Sequence, residues 1–317
     1  MKHSSADRFS NFCLFLLAYA VVIILWGAWV RISGSGDGCG PHWPLCHGKV
    51  FINDDLTSSA KTIIEYLHRL KSGVFGLLVI FLFFYARKVF PAPHKARLFA
   101  GMTLFFTITE GLLGAKLVLF SLVGQNDSLH RAITMSLHLM NTFLLLYFLV
   151  GSWVLSKFPS DFKIRKPDIK ISFIFFTLVI LAATGAWAAL ASTLFPSQSL
   201  LDGIKQDFSA DSHWLIRLRI IHPVLALSLG LATVMILQSI KDKHSLAKGS
   251  LKYLQICICA SMLLGASNIL AGSFSFLKLL HLLAADLSWI FLVKASLEMN
   301  TAETEGLGEF RTRTTEN

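Results

Sequence analysis

Eight apolar stretches, each close to the length of a bilayer's hydrocarbon core, constrain this chain more than any other feature. They cover approximately residues 12–30, 66–87, 98–120, 131–155, 171–192, 216–239, 252–273 and 277–297. A helix needs about 20 apolar residues to cross a core about 30 Å thick, and these blocks meet that length in series. Of the 317 residues 54% are hydrophobic and 15% charged, against about 25% charged in an ordinary soluble domain, which excludes a soluble globular protein. A strand-built barrel would alternate over segments of about 10 residues, whereas Val74 to Tyr85 is apolar on every face. Helices then remain as the structure that satisfies its own backbone inside lipid. The expected fold is an all-α integral membrane protein with eight transmembrane helices.

The first block follows Lys2 and Arg8 as a signal peptide would, but it is too long for one and runs through Trp26, Trp29 and Arg31 without a small-residue cleavage site. It is read as the first span. No Arg- and Ser-rich transit segment precedes it, which favours a bacterial cell membrane over an organelle. The net charge of +10 raises the question of nucleic acid, and the distribution of the 29 Lys and Arg residues answers it. With the N-terminus inside, seventeen fall in inner segments, among them Arg87, Lys88, Lys95 and Arg97, Lys157 to Lys170, Lys241 to Lys252, and Arg311 and Arg313; eleven fall outside and Lys294 lies within the last block. Short basic loops stay cytoplasmic, so both termini are expected inside, and the basic character reflects topology without a nucleic-acid partner. Glu298 to Asn317, rich in charge, reads as a solvated cytoplasmic tail.

The first outer loop contains Gly34-Ser35-Gly36, Cys39 and Trp43-Pro44-Leu45-Cys46. An oxidising exterior admits a disulfide between Cys39 and Cys46, either as a structural staple or as a redox-active pair. His42 and His47 lie beside them, but the spacing matches no common zinc module. Cys13, Cys257 and Cys259 fall in apolar blocks as small core residues.

The chain also repeats itself. Gly27-Ala28-Trp29 recurs as Gly185-Ala186-Trp187, and Leu112-Leu113-Gly114-Ala115 as Leu263-Leu264-Gly265-Ala266. Each half is therefore a four-helix unit, residues 1–157 and 158–317, and an even number of spans per unit relates the two bundles by a pseudo-twofold axis along the membrane normal. Four of the eleven histidines follow this repeat: His68, His138, His222 and His281, one on each even-numbered span and each near the outer start of its helix. Two imidazoles per half, on non-adjacent helices at one depth, suit axial ligation of a haem iron in an apolar slot. Arg69, Arg217 and Arg219 lie where they could bind haem propionates, or else serve as interfacial anchors. Glu65, three residues before His68, shares its helical face, and no carboxylate stands in the corresponding place near Trp214. That asymmetry suggests chemistry in one half and a fixed cofactor in the other. Glu110 and Asp286, also costly in lipid, receive no role from the sequence.

Together these residues resemble the haem A synthase family over nearly the whole chain. The matching features are the Gly34 to Cys46 loop, Glu65-Tyr66-x-His68-Arg69, His138-Leu139-x-Asn141-Thr142, Arg217-Leu218-Arg219-x-x-His222-Pro223 and His281-Leu282-x-x-Ala285-Asp286-x-x-Trp289. The resemblance implies that His68 and His138 bracket the substrate haem O in the N-terminal half, and that His222 and His281 hold a resident haem b in the C-terminal half. The implied reaction oxidises the C8 methyl of haem O to the formyl of haem A by successive hydroxylations and loss of water from a geminal diol. Glu65 matches the family's carboxylate for stabilising a cationic intermediate or moving protons. Cys39 and Cys46 match the version of the family whose loop pair passes redox equivalents, and His42 departs from the acidic or other polar residue expected there. Implied partners are a haem O synthase, the terminal oxidase assembly and an electron acceptor that the residues do not specify; a homo-oligomer is compatible with such a chain. Three other readings are a bis-histidine cytochrome b that only transfers electrons, a haem carrier and a transporter. The carboxylate and the difference between halves argue against the cytochrome, and the parallel repeat against the transporter.

Overall fold

The structure is a computed structural model that describes residues 5–52, 59–160, 164, 166–272 and 274–315, with side chains as far as Asn300. Lys2, His3, Lys163 and Arg165, and the side chains of Arg311 and Arg313, lie outside the described residues. Among those residues the chain forms ten helices: α1 (Ser5–Ile32), α2 (Ala60–Val89), α3 (Lys95–Leu119), α4 (Leu129–Leu155), α5 (Ile169–Leu194), α6 (Leu200–Phe208), α7 (Trp214–Arg219), α8 (Ile221–Ile240), α9 (Lys248–Leu270) and α10 (Ser275–Thr315). Eight spans are long and apolar enough to cross a membrane, with α7 and α8 forming one of them, Trp214–Ile240. The protein is thus an eight-span, multi-pass all-α membrane protein.

Local chemistry sets the ends. The side chains of Ser128, Asp168 and Ser199 accept the backbone N–H groups of Arg131, Lys170 and Asp202 at the starts of α4, α5 and α6, satisfying donors that a helix start leaves unpaired. Extended Phe90, followed by Pro91 and Pro93, stops α2. The sixth apolar block is read from sequence as one continuous helix, but it breaks at Ile220, between α7 and α8. Pro223 accounts for the break, because its ring lacks an N–H and crowds the carbonyl four residues earlier, that of Arg219. At the C-terminus α10 continues through the charged segment to Thr315.

The first four spans close on themselves, each packing on the next and α1 on α4. The last four close in the same way through α5, α8, α9 and α10. Contacts between the two sets are also paired: α4 meets α5, α10 meets α1, and α4 packs against α10 between them. That arrangement is the one a twofold relation along the spans produces.

Burial along the helices is uneven. In α1 the buried side chains run from Phe9 to Ala20 and then lapse until Val30; in α2 they lapse between Glu65 and Phe75, and in α3 between Thr103 and Ala115. The second set repeats this, with a lapse in α5 between Thr177 and Leu190, none buried in α8 before Gly230, and none in α9 after Ile258. Both cores therefore sit toward the end carrying Arg87, Lys88 and Lys241. They are built around Leu16, Val79, Leu146 and Val293 in one case and Ile174, Leu237, Leu254 and Leu292 in the other. The opposite end, where the Cys39 loop lies, holds a smaller buried cluster of Ala132, Leu190, Ala191 and Leu215 and is otherwise loosely packed. Leu77, Phe84, Val224, Met235 and Leu263 point outward and exposed, as apolar residues do when lipid is their solvent.

Candidate functional site

All four histidines lie in the loosely packed end, and each is half-buried. Each also faces a glycine on the preceding span. A Cβ built on Gly27 would stand 2.9 Å from His68 Cε1, and one on Gly185 3.0 Å from His222 Cε1. The corresponding distances are 3.2 Å from Gly265 to His281 Cε1 and 4.0 Å from Gly114 to His138 Cε1. These glycines belong to the repeated Gly-Ala-Trp and Leu-Leu-Gly-Ala fragments, so the internal repeat is the set of seats on which the imidazoles rest.

The two pairs are held differently. In the second half His222 Nδ1 meets Thr184 Oγ1 at 3.2 Å, while His281 Nδ1 donates to the Ser261 carbonyl at 2.8 Å. The His222 and His281 rings face each other with centroids 6.2 Å apart and planes at 82°. In the first half His68 Nδ1 has no hydrogen-bond partner among the described residues. His138 Nδ1 lies 3.2 Å from Glu110 Oε1, off the direction of a hydrogen bond, so it too lacks a hydrogen-bond partner among those residues.

Glu65 does not stand free beside His68. It is buried, 3% exposed, and its Oε2 accepts the Cys39 N–H at 2.7 Å while Oε1 accepts Arg69 Nη2 at 2.5 Å and Nε at 3.2 Å. Arg69 Nη1 also donates to the carbonyls of His42 and Leu45. Cys39 and Cys46 form a disulfide, and Thr62 Oγ1 and His47 Nε2 both reach the Gly38 carbonyl at 2.8 Å. The loop is thereby fastened over the start of α2, one turn above His68.

Counting three residues back from each leading histidine puts Arg219 in the second half where Glu65 stands in the first. The counterpart expected near Trp214 thus lies further along, at Arg219. Arg219 donates to Asp207 Oδ1 through Nε at 2.8 Å and Nη2 at 2.7 Å, and to the Gly203 carbonyl at 3.1 Å, both acceptors lying on α6. Arg217 is exposed. Of the three arginines, then, Arg69 and Arg219 are already paired within the chain.

Sequence reasoning did not connect Glu110 with His138. Its Oε2 accepts Asn141 Nδ2 at 2.6 Å and its Oε1 accepts Thr142 Oγ1 at 2.5 Å, so Asn141 and Thr142 of the histidine's own helix aim the carboxylate. The repeat could have disclosed it, since Glu110 precedes Gly114 by four residues as Ser261 precedes Gly265. Asp286 is fully buried, with no hydrogen-bond partner for either oxygen among the described residues. The groups of three or more His, Cys, Asp or Glu side chains that typify a metal cluster do not occur among the described residues.

These features define the protein as a polytopic membrane protein of two repeated four-span sets, each carrying a histidine pair seated on glycines. The chain belongs to the COX15-CtaA family, described as cytochrome oxidase assembly protein, whose model matches residues 10–293. It is 36% identical over 321 residues to a Protoheme IX farnesyltransferase of Thermus thermophilus, covering 98% of this chain and 52% of that protein. A Heme A synthase of Exiguobacterium sibiricum is 26% identical over 284 residues, covering 86% of this chain and 89% of the relative. One of Symbiobacterium thermophilum is 39% identical over 119 residues, 38% of this chain and 36% of the relative. The chain thus spans about half the length of the Thermus relative.

Proposed function

We propose that this protein is a haem A synthase of the bacterial cell membrane, an oxidoreductase that converts the C8 methyl of haem O to a formyl group and so serves terminal oxidase assembly. In this reading residues 158–317 hold a resident haem b through His222 and His281, and residues 1–157 receive haem O between His68 and His138. His222 and His281, with ring centroids 6.2 Å apart, would be the residues that hold the haem iron. The glycine seats let each imidazole lie close against the neighbouring span.

The observation that carries the division of roles is the contrast between the pairs. A ligating histidine is ordinarily oriented through its other nitrogen; His222 and His281 are so oriented, which suits a permanent ligand set. Among the described residues His68 Nδ1 has no such bond, and His138 Nδ1 has only an approach to Glu110 that is not closed into one, which suits a porphyrin that must enter and leave.

Converting methyl to formyl withdraws four electrons, which must pass to an electron acceptor outside this chain, in two hydroxylations followed by loss of water from the geminal diol. When bound, haem b supplies one-electron redox chemistry. The chain's own residues supply position and shielding. Glu65, bound by Cys39 N–H and Arg69, is held as an acceptor on the face of α2 that carries His68, where it can stabilise developing positive charge or accept a proton. The loop that Glu65 and Arg69 fasten limits water access from that end. The Cys39–Cys46 disulfide lies one backbone hydrogen bond from this carboxylate, which suits either a staple or a redox relay. The basic loops put both termini in the cytoplasm. The Thermus relative named for farnesyl transfer to protoheme IX, matched over about half its length, supports a haem O-supplying enzyme as partner.

The test is expression with a source of haem O, followed by extraction of the haems and identification by mass. Haem A is expected, and its loss in Glu65→Ala and His68→Ala. Bound haem without conversion in the unaltered protein would assign electron transfer alone and refute the proposal.

A further inference from the structure

We propose that Glu110 is a positioning residue for His138, giving the iron ligand of the first half an anionic partner that the second half lacks. The inference rests on the reading of His138 as a haem ligand. Its geometric basis is independent of that reading: a carboxylate oxygen 3.2 Å from the imidazole Nδ1, in a chain whose second half uses Ser261, at the same place in the repeat, for the same nitrogen of His281.

Glu110 is not a stray charge in the bundle. Asn141 and Thr142 each donate to one of its oxygens, at 2.6 and 2.5 Å. Asn141 Nδ2 also reaches the Phe106 carbonyl at 2.8 Å, and its Oδ1 accepts from Thr109 Oγ1 at 2.6 Å. Thr142 Oγ1 lies 3.0 Å from the His138 carbonyl as well. The carboxylate is therefore locked between α3 and α4, with the imidazole Nδ1 beside it. A modest turn of the ring closes the Nδ1–H to Oε1 hydrogen bond, and catalytic hydrogen bonds often tighten in this way only when the ligand is present.

The consequence is electronic as well as geometric. A carbonyl acceptor, as at His281, orients an imidazole; a carboxylate acceptor also pushes charge onto it and makes Nε2 a stronger donor. A stronger axial donor favours ferric over ferrous iron, so the haem of the first half takes the lower reduction potential of the two. The pair of haems is then poised unequally by the acceptor at Nδ1, the Glu110 carboxylate in one half against the Ser261 backbone carbonyl in the other.

The experiment is a redox titration, followed optically, of the full-length protein in detergent, loaded with haem b and haem O. Glu110→Gln keeps a hydrogen-bond acceptor and removes the charge. It is expected to raise one of the two midpoint potentials by about 59 mV, the equivalent of a tenfold change in relative ferric affinity for a one-electron couple, and to leave the other in place. Thr142→Val removes the donor that competes for Oε1 and keeps the carboxylate, so it should move the same potential the opposite way; a scaffolding role alone would not give opposite signs. Both potentials unchanged in the two variants, with both haems bound, would overturn the proposal while leaving the ligand assignment intact. His138→Ala that keeps a full complement of two haems would overturn the ligand assignment and the proposal with it.

Discussion

Replacing Gly185 by alanine sets helix stability and haem binding against each other. In the middle of a helix the change should stabilise, since Gly costs about 1 kcal/mol relative to Ala. At Gly185, however, the new methyl stands 3.0 Å from His222 Cε1, whereas carbon atoms rest about 3.5–4.0 Å apart. The imidazole must retreat by about 0.5–1 Å, and it would do so against a metal bond of fixed length. Overpacking of this size costs about 1–3 kcal/mol, or a roughly 5- to 160-fold weaker hold on the porphyrin. Gly27→Ala, at 2.9 Å from His68, should act equally on the first site, Gly265→Ala at 3.2 Å less, and Gly114→Ala at 4.0 Å hardly at all. Gly73 and Gly76, with nothing near their Cβ positions, are the controls. The assay is haem per polypeptide in purified protein, measured as the pyridine haemochrome, together with thermal unfolding of the haem-free protein. Haem content that falls in the order given while the haem-free protein keeps or raises its melting temperature is the expected outcome. Equal haem content in Gly185→Ala and Gly73→Ala would refute the account of the glycines as seats.

Other perturbations follow the same logic. Glu65→Gln should leave haem content near normal and lower haem A formation roughly 10- to 100-fold, the equivalent of losing an interaction with a charged group worth about 1.5–3 kcal/mol, read from haem A per unit protein. Cys39→Ser with Cys46→Ser opens a short loop whose closure is worth about 2–3 kcal/mol by chain entropy, so the melting temperature should fall; full retention of activity would identify the disulfide as a staple. His94, at the start of α3, is buried, and that burial holds its pKa below the ordinary value despite the opposing hydrogen bond to the Phe158 carbonyl. Its contribution to stability is therefore present above the ordinary histidine pKa of about 6.5 and is lost as pH falls through the lower folded value. Melting temperature should accordingly drop more steeply between pH 7 and pH 5 in the unaltered protein than in His94→Asn.

The spans were legible in sequence because burial in lipid leaves an unbroken apolar run, and each block lies inside or within a few residues of its helix. The helices extend further, as α1 does to Ser5 and α2 to Ala60, because polar residues at the interface remain helical without adding hydropathy. The four histidines and the repeated glycine fragments were each visible, but their contact was not: Gly27 meets His68 across 41 positions of chain, and a period comparison registers likeness rather than proximity. Glu110 stayed without a role for the same reason, since its partners Asn141, Thr142 and His138 lie on another helix. Arg69 and Arg219 looked free because arginine near a membrane interface commonly is. Apart from Glu65, one turn before Arg69 on α2, their partners, the carbonyls of the Cys39 loop and Asp207 on α6, sit in connections that hydropathy does not describe. The break at Ile220 was legible through Pro223, yet apolar residues on both sides masked it.

The central claim is that one histidine pair retains a haem while the other presents a second haem for oxidation. The most direct measurement is the identity and number of haems extracted from His222→Ala and from His138→Ala, each made with a haem O source. The account predicts that His222→Ala loses haem b, and that His138→Ala keeps haem b while neither haem O nor haem A is recovered from it. Haem A formed by His138→Ala at the level of the unaltered protein would contradict it.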